Sequence, residues 1–319
     1  MKIVVLDSHA VLSGDMNLDR LKEFGEVINY DRTPADLTAA RIGDAEMAIT
    51  NKTVVDRAVM DACPNLKYIG LFATGYNVVD VVAAKEKGIA VCNAPAYSTA
   101  GVAQLAIALM LHFYSMADEH NRRVHLGEWQ QSADFSFYNR QICELGGKTL
   151  GLIGFGNIAR QVARIALAFD MEVIVYNRTV YPELEQEHLH FVSLEELYRR
   201  SDVISIHCPL FDETRGMINK AAIDQMKTNA IIINTARGPI INEHDLAEAL
   251  NSGRIQGAGV DVVSVEPILA DNPLLQAKNC VITPHIGWAG RESRERLLDI
   301  VYDNVKGFVE GKIINCVSL

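Results

Sequence analysis

The feature that most constrains this chain is an alternation, run through twice, of short apolar segments with amphipathic ones. In residues 1–100, Ile3–Leu6, Val27–Asn29, Met47–Thr50, Tyr68–Phe72 and Ala90–Cys92 read as strands. Between them, Leu18–Phe24, Ala35–Arg41, Asp56–Ala62 and Val81–Lys87 read as helices. The punctuation agrees: Thr33 before Pro34 suits a helix N-cap, and Gly25 and Gly88 stand where helices should stop. A second series begins at Lys148, with strands expected at Thr149–Ile153, Glu172–Tyr176, Val203–His207, Ala230–Asn234, Ala258–Val260 and Cys280–Thr283. A final helix is expected over 291–310. Repeated βα units demand parallel sheets covered on both faces, so the expected class is α/β with two doubly wound sheets. At 319 residues the chain also exceeds what one core usually serves.

Between the two series the pattern predicts a long helix over about Thr99–Glu119, then a segment, Gly127–Arg140, carrying Trp129, Phe135, Phe137 and Tyr138. That aromatic stretch suits either an arm packed on another subunit or a loop covering its own domain.

Charge and cysteine usage narrow the partners. A formal net charge of -10 and a pI near 5.4 argue against duplex nucleic acid and anionic membranes, both of which need a basic face. Any anionic substrate must therefore meet locally placed cations. The longest apolar stretch, Val102–Phe113, is broken by Gln104 and His112 and is too short for a bilayer. The run before Asp7 is too short for a signal peptide, so a cytoplasmic protein is expected. The six cysteines (Cys63, Cys92, Cys143, Cys208, Cys280, Cys316) show no metal-ligand spacing and read as small buried hydrophobes, with no metal expected.

The strand at Thr149–Ile153 runs directly into Gly154-x-Gly156-x-x-Ala159, which opens a helix. Gly154 permits a tight turn, Gly156 lets backbone N–H groups near a pyrophosphate, and Ala159 allows close packing of helix on strand. A dinucleotide is the expected ligand. The ribose-reading position at the end of the next strand holds Asn177, followed by Arg178. A neutral amide beside an arginine favours NADP(H) or dual use over strict NAD(H), although Asn177 could also serve a ribose hydroxyl with Arg178 merely solvated.

Three further strand ends carry ionisable residues: Arg237 in Ile233-Asn-Thr-Ala-Arg-Gly, Asp261 and Glu266 in Gly259-Val-Asp-Val-Val-Ser-Val-Glu-Pro, and His285 in Thr283-Pro-His-Ile-Gly-Trp288. The carboxyl ends of strands are where open α/β sheets bind ligands. An arginine there grips a carboxylate, a histidine protonates a developing alkoxide, and a carboxylate behind the histidine orients it.

Taken together, the segments Phe72-Ala-Thr-Gly-Tyr-Asn-Val-Val-Asp80, Asn93-Ala-Pro-Ala-Tyr-Ser-Thr99, the glycine loop, His207-Cys-Pro-Leu with Thr214, Asn234-Thr-Ala-Arg-Gly, Asp261 to Glu266-Pro and Pro284-His-Ile-Gly-Trp resemble the D-isomer-specific 2-hydroxyacid dehydrogenases along nearly the whole chain. The phrases Ala73-Thr-Gly-Tyr-Asn and His285-Ile-Gly-Trp288 are most similar to the glycerate dehydrogenase (hydroxypyruvate reductase) group. The resemblance implies a Rossmann dinucleotide domain over 101–287 and a flavodoxin-like substrate domain built from 1–100 and 288–319, with an interdomain cleft that closes on the substrate. It implies that Arg237 holds the carboxylate and keto oxygen, His285 donates the proton and Glu266 supports His285. It also implies that backbone N–H groups near Thr74, Gly75 and Tyr76 bind the carboxylate, and that Trp288 either walls the pocket or packs between domains. The cofactor would meet Gly154, Phe155, Gly156, Asn157, Ile158, Asn177, Arg178, His207, Cys208, Pro209, Thr214, Thr235, Ala236, Asp261, His285 and Gly287, with Asp261 at the nicotinamide end. A homodimer is the expected assembly. Gln104 departs from the glutamate common at that position.

The expected reaction is reduction of a small 2-keto acid to its D-2-hydroxy acid, hydroxypyruvate to D-glycerate first among them. Glyoxylate reduction and a phosphoglycerate dehydrogenase-like activity are alternatives, since one missing hydroxymethyl group costs little discrimination. Glu266 argues against formate oxidation, which needs no general acid. A nicotinamide-sensing corepressor would share fold and residues but normally carries a disordered recruiting tail, for which this sequence offers no segment.

Overall fold

The computed structural model describes residues 1–139 and 141–318; Arg140, the last residue of the aromatic segment, and Leu319 lie outside the described residues. The chain divides into two units, Met1–Ser98 with Trp288–Leu319, and Thr99–Gly287. The division falls two residues before the expected 100/101, because the helix Thr99–Ser115 already belongs to the second unit.

In the first unit, β1 (Lys2–Val5), β2 (Glu26–Asn29), β3 (Met47–Thr50), β4 (Tyr68–Leu71) and β5 (Ala90–Cys92) form a parallel sheet in the order β2-β1-β3-β4-β5. This is the flavodoxin-like order. Strand residues alternate between faces. Val4, Ile69, Leu71 and Val91 join Ile42 and Met60 on one side, while Ile3, Val5, Met47 and Ile49 join Leu297, Val301 and Val305 on the other. The last three come from the C-terminal helix, Arg291–Val309. Asp56 and Asp80 cap the helices Arg57–Ala62 and Val81–Glu86, accepting from the N–H groups of Val59 and Ala83.

Two expected helices here differ. Leu18–Phe24 is a 3-10 segment over Asp19–Phe24, and Ala35–Arg41 starts as a 3-10 turn, Ala35–Leu37, before the helix Thr38–Ile42. Thr33 does not cap it. Its hydroxyl donates to the Leu6 carbonyl past the end of β1 and accepts from Arg41 Nη1 at 2.7 Å, leaving Pro34 at the N-cap.

In the second unit, β6 (Thr149–Ile153), β7 (Glu172–Tyr176), β8 (Leu189–Phe191), β9 (Val203–Ile206), β10 (Ile231–Asn234), β11 (Gly257–Val260) and β12 (Cys280–Ile282) pair in parallel in the order β12-β11-β10-β9-β6-β7-β8. This is a Rossmann arrangement, and the strand order reverses between β6 and β9, the position where such sheets bind ligands. β8 is not among the expected strands, because its three residues Leu-His-Phe are too few to display a period.

The long helix expected over Thr99–Glu119 is broken. Helices Thr99–Ser115 and Ala117–His125 meet at 58°, with Met116 at φ +51 between them. Beyond it, Phe135 is 92% and Tyr138 72% exposed, and Trp129 donates its indole N–H to the Phe135 carbonyl. These rings are not covered by their own unit. Among the described residues, no single helix is long and apolar enough to cross a membrane.

Candidate active site

The glycine loop follows β6 directly. Gly154 has φ +89, and a Cβ there would lie 2.8 Å from the backbone nitrogen of Cys208 at the end of β9, so only glycine fits both the turn and the approach. Gly156 is the N-cap of the helix Asn157–Leu167 and faces open space, with no side chain capping the helix. Bare N–H groups and the positive end of the helix dipole thus open onto the same side, which suits a pyrophosphate. Ala159 is fully buried, as close helix packing requires.

The residues around this loop are more committed than their sequence suggested. Asn177 sits at the end of β7, but its Oδ1 accepts from the Phe155 N–H at 3.1 Å and its Nδ2 donates to the Thr179 carbonyl at 2.6 Å. Its amide braces the loop, and the Phe155 N–H, expected to face the cofactor, is already used. Arg178 is exposed, with no partner among the described residues. His207 is held by Ser205, whose Oγ lies 2.8 Å from its Nε2, and burial lowers its pKa to about 4, so it is neutral. Burial also pushes the Cys208 thiol up to about 11. Thr214 shapes the neighbouring loop, donating to the Pro209 carbonyl and accepting from the Phe211 N–H, both at 2.8 Å.

The chemical groups leave three adjacent strands. Arg237 follows β10, Asp261 and Glu266 follow β11, and His285 follows β12. Asn234 builds the first turn: its Oδ1 accepts from the Ala236 N–H and its Nδ2 donates to the Arg237 carbonyl. Arg237 is exposed, and its Nη1 donates to the Ala236 carbonyl at 2.7 Å. A Cβ on Gly238 would lie 2.0 Å from the Val263 carbonyl carbon, so this turn presses on the loop leading to Glu266. Glu266 Oε1 accepts from the Val263 N–H at 3.3 Å, while Oε2 lies 2.7 Å from His285 Nδ1. With Nδ1–H donating to that carboxylate, Nε2 is the nitrogen left for a substrate.

Asp261 does something the sequence did not disclose. It is 2% exposed, and its carboxylate folds the histidine loop: Oδ1 accepts from Thr283 Oγ1 at 2.6 Å and Ile286 N at 2.8 Å, and Oδ2 from Gly287 N at 2.9 Å. The acceptor capacity expected to meet the nicotinamide is thus largely occupied by the loop that carries His285. The sequence clue was available only in hindsight, as Thr283 two residues before the histidine.

In the first unit, Thr74 Oγ1 donates to the Ala94 carbonyl and Asn93 Nδ2 donates to the Thr74 carbonyl, both at 2.7 Å. Among the described residues no acceptor takes the N–H groups of Thr74, Gly75 or Tyr76. Trp288 is half-buried against the core cluster that holds Phe72 and Leu297.

A nicotinamide dinucleotide fits the second unit on two structural grounds. The open helix N-terminus at Gly156 is one, and the buried Thr235 Oγ1, without a hydrogen-bond partner among the described residues, is the other. Such a hydroxyl is costly unless a ligand satisfies it.

The family described as D-isomer specific 2-hydroxyacid dehydrogenase, NAD binding domain, matches residues 107–287. A hydroxypyruvate reductase of Blautia hydrogenotrophica is 50% identical over 100% of both chains. A glycerate dehydrogenase of Methylorubrum extorquens is 38% identical over 99% of both. The structure of an NADPH-dependent glyoxylate/hydroxypyruvate reductase from Sinorhizobium meliloti superposes with a TM-score of 0.85 at 29% identity, covering 99% of this chain and 97% of that one. A family match over more than half of the chain, together with full-length relatives at 50% and 38% identity, makes this chain a member of the D-isomer specific 2-hydroxyacid dehydrogenases.

Proposed function

We propose that the chain reduces hydroxypyruvate to D-glycerate with a reduced nicotinamide dinucleotide, and runs the reverse reaction when products accumulate. The observation that carries this reading is the His285–Glu266 pair at 2.7 Å, next to the strand end that presents Arg237. The bound cofactor supplies the hydride for C2 of the keto acid. Arg237 grips the carboxylate and polarises the keto oxygen. His285 delivers its Nε2 proton to the oxygen as negative charge develops there, and Glu266 stabilises the imidazolium before that transfer. Gly156, Asn157, Ile158, Pro209, Ala236, Thr235 and Gly287 line the cofactor's path. In the first unit, the N–H groups of Thr74, Gly75 and Tyr76 are donors suited to a carboxylate.

NADPH is the preferred reductant in this reading. Its support is an exposed guanidinium at Arg178 and no carboxylate at position 177 to repel a 2′-phosphate. A homodimer formed through the exposed aromatic arm completes the proposal.

The test is a panel of hydroxypyruvate, glyoxylate, pyruvate and bulkier 2-keto acids, each with NADPH and NADH, following cofactor oxidation. Highest kcat/KM with hydroxypyruvate supports the assignment, and a higher value for a bulky keto acid rejects it. Arg178→Ala should lower kcat/KM with NADPH by about tenfold, the size of one lost charge-assisted bond. Equal losses with both cofactors would mean that the arginine does not read the phosphate.

A further inference from the structure

The mechanism uses none of the six cysteines, yet two of them face each other. Cys92 closes β5 and is fully buried, and Cys316 in the C-terminal segment pairs with it in an antiparallel bridge. The hydrogen bonds flanking the bridge run from Val317 N to the Val91 carbonyl at 2.8 Å and from Asn93 N to the Asn315 carbonyl at 3.1 Å. They lie one residue outside the pair on either side, so the two cysteines form a non-hydrogen-bonded pair, the kind whose side chains approach most closely. Its usual Cα separation, about 4.5 Å, lies within the span of about 4.4–6.8 Å that a disulfide accepts. The thiols are near enough to interact, and the buried Tyr68 hydroxyl lies against the same pair.

The pair also adjoins a junction. Asn93, the next residue, donates its N–H to Asn315, accepts at its carbonyl from Asn304 Nδ2, and holds the Thr74 carbonyl with its own side chain. Asn304 in turn accepts from Asn315 Nδ2 at 2.8 Å. A movement of the segment around Cys316 is thus one peptide bond away from the residue that fixes the Thr74 loop.

We propose that Cys92 and Cys316 are an oxidisable dithiol, a modification site for hydroperoxides, and that its closure locks the C-terminal segment to β5 and, through Asn93, displaces the Thr74 loop. The half-buried Cys316 sulfur attacks hydrogen peroxide, the O–O bond breaks, one water leaves and a sulfenic acid remains. The Cys92 sulfur then displaces that oxygen as a second water and the S–S bond forms. Two electrons pass from the two sulfurs to the peroxide, and the two thiol protons end in the waters. Burial, and then the neighbouring Cys316, push the Cys92 thiol up to about 12. It therefore stays protonated in neutral solution and reacts only after its partner has been oxidised.

The cross-link stands independently of the proposed function, whereas its kinetic effect rests on the Thr74 loop binding substrate. The test treats the full-length protein with hydrogen peroxide and maps peptides without reduction, alongside Cys316→Ser. The expected product is one peptide pair joined through residues 92 and 316, reversed by dithiothreitol and absent from Cys316→Ser. Oxidation should raise KM for hydroxypyruvate by roughly 3–10-fold, as small displacements of a binding loop do, while Cys316→Ser keeps its untreated KM. Recovery of both cysteines as thiols, or their capture by other cysteines, overturns the proposal. A cross-link with unchanged KM overturns the coupling alone, and an enzyme inactive before treatment counts against the proposed function and not against the dithiol.

Discussion

His285 holds φ +54, a left-handed conformation that costs an L-residue about 1–2 kcal/mol. The three bonds accepted by the Asp261 carboxylate bracket it at residues 283, 286 and 287. Bonds to a charged group contribute about 1.5–3 kcal/mol each, more than enough to hold the strained turn. Asp261→Asn keeps the shape but turns an N–H₂ group toward the N–H groups it should accept from. We expect kcat for hydroxypyruvate reduction to fall by about 10–100-fold, with the dissociation constant for NADPH changed less than threefold and the pH profile of kcat/KM altered. A large loss of cofactor affinity with kcat preserved would restore Asp261 to a purely cofactor-binding role. For comparison, His285→Ala should lower kcat by about two to four decades, and a nearly normal rate would remove the histidine as proton donor. The residue types proposed for the chemistry were legible because few side chains do it and each follows an apolar run. The bracket was not, because three of its four members are backbone or hydroxyl groups, which carry no sequence signal.

At the scale of elements, every strand except β8 lies within about a residue of its expected place, since buried parallel strands must be continuous apolar runs. Departures came where local chemistry competed with periodicity. Thr33 found a strand-end carbonyl instead of capping a helix, and the apolar spacing of Leu18–Phe24 suited a 3-10 coil equally well. The bend at Met116 breaks a pattern that looks continuous, because apolar spacing says nothing of backbone sign. The arm that follows carries Trp129, Phe135 and Tyr138 in the open. Aromatic rings so exposed favour a protein partner. Replacing Trp129 and Phe135 together by serine should shift a dimer toward monomer in light scattering, with the circular dichroism spectrum unchanged. A wild-type protein that is monomeric at micromolar concentration would reject the arm as a dimer contact.

Across the molecule, the second sheet separates two tasks by end. The residues proposed to meet the ligand leave its carboxyl ends, while Asp202 ties together its amino ends. Asp202 accepts from the Thr149 N–H at 2.9 Å and pairs with Lys227 at 2.9 Å and with Asn229 at 3.3 Å. Burial raises its pKa, but the Thr149 N–H and the Lys227 ammonium outweigh that and hold it below the ordinary 3.8. A carboxyl lowered in the folded state stabilises it above the unfolded value and loses that effect as pH falls through the folded one. Asp202→Asn should therefore cost about 2 kcal/mol at neutral pH, or roughly 4–8 °C of Tm, with the gap closing in acid and steady-state kinetics unchanged. A gap that persists unchanged at low pH would show that packing, not charge, sets it.

The glutamate, the histidine, the arginine and the aspartate bracketing the histidine all lie within 99–287, and Gly287 is both the last residue of that stretch and one of the bracketed N–H groups. The residues proposed to handle the proton are therefore encoded by a single uninterrupted span of chain. A recombination that exchanged only the flanking segments would carry all four residues over together, leaving the proposed proton donor and its bracket unchanged.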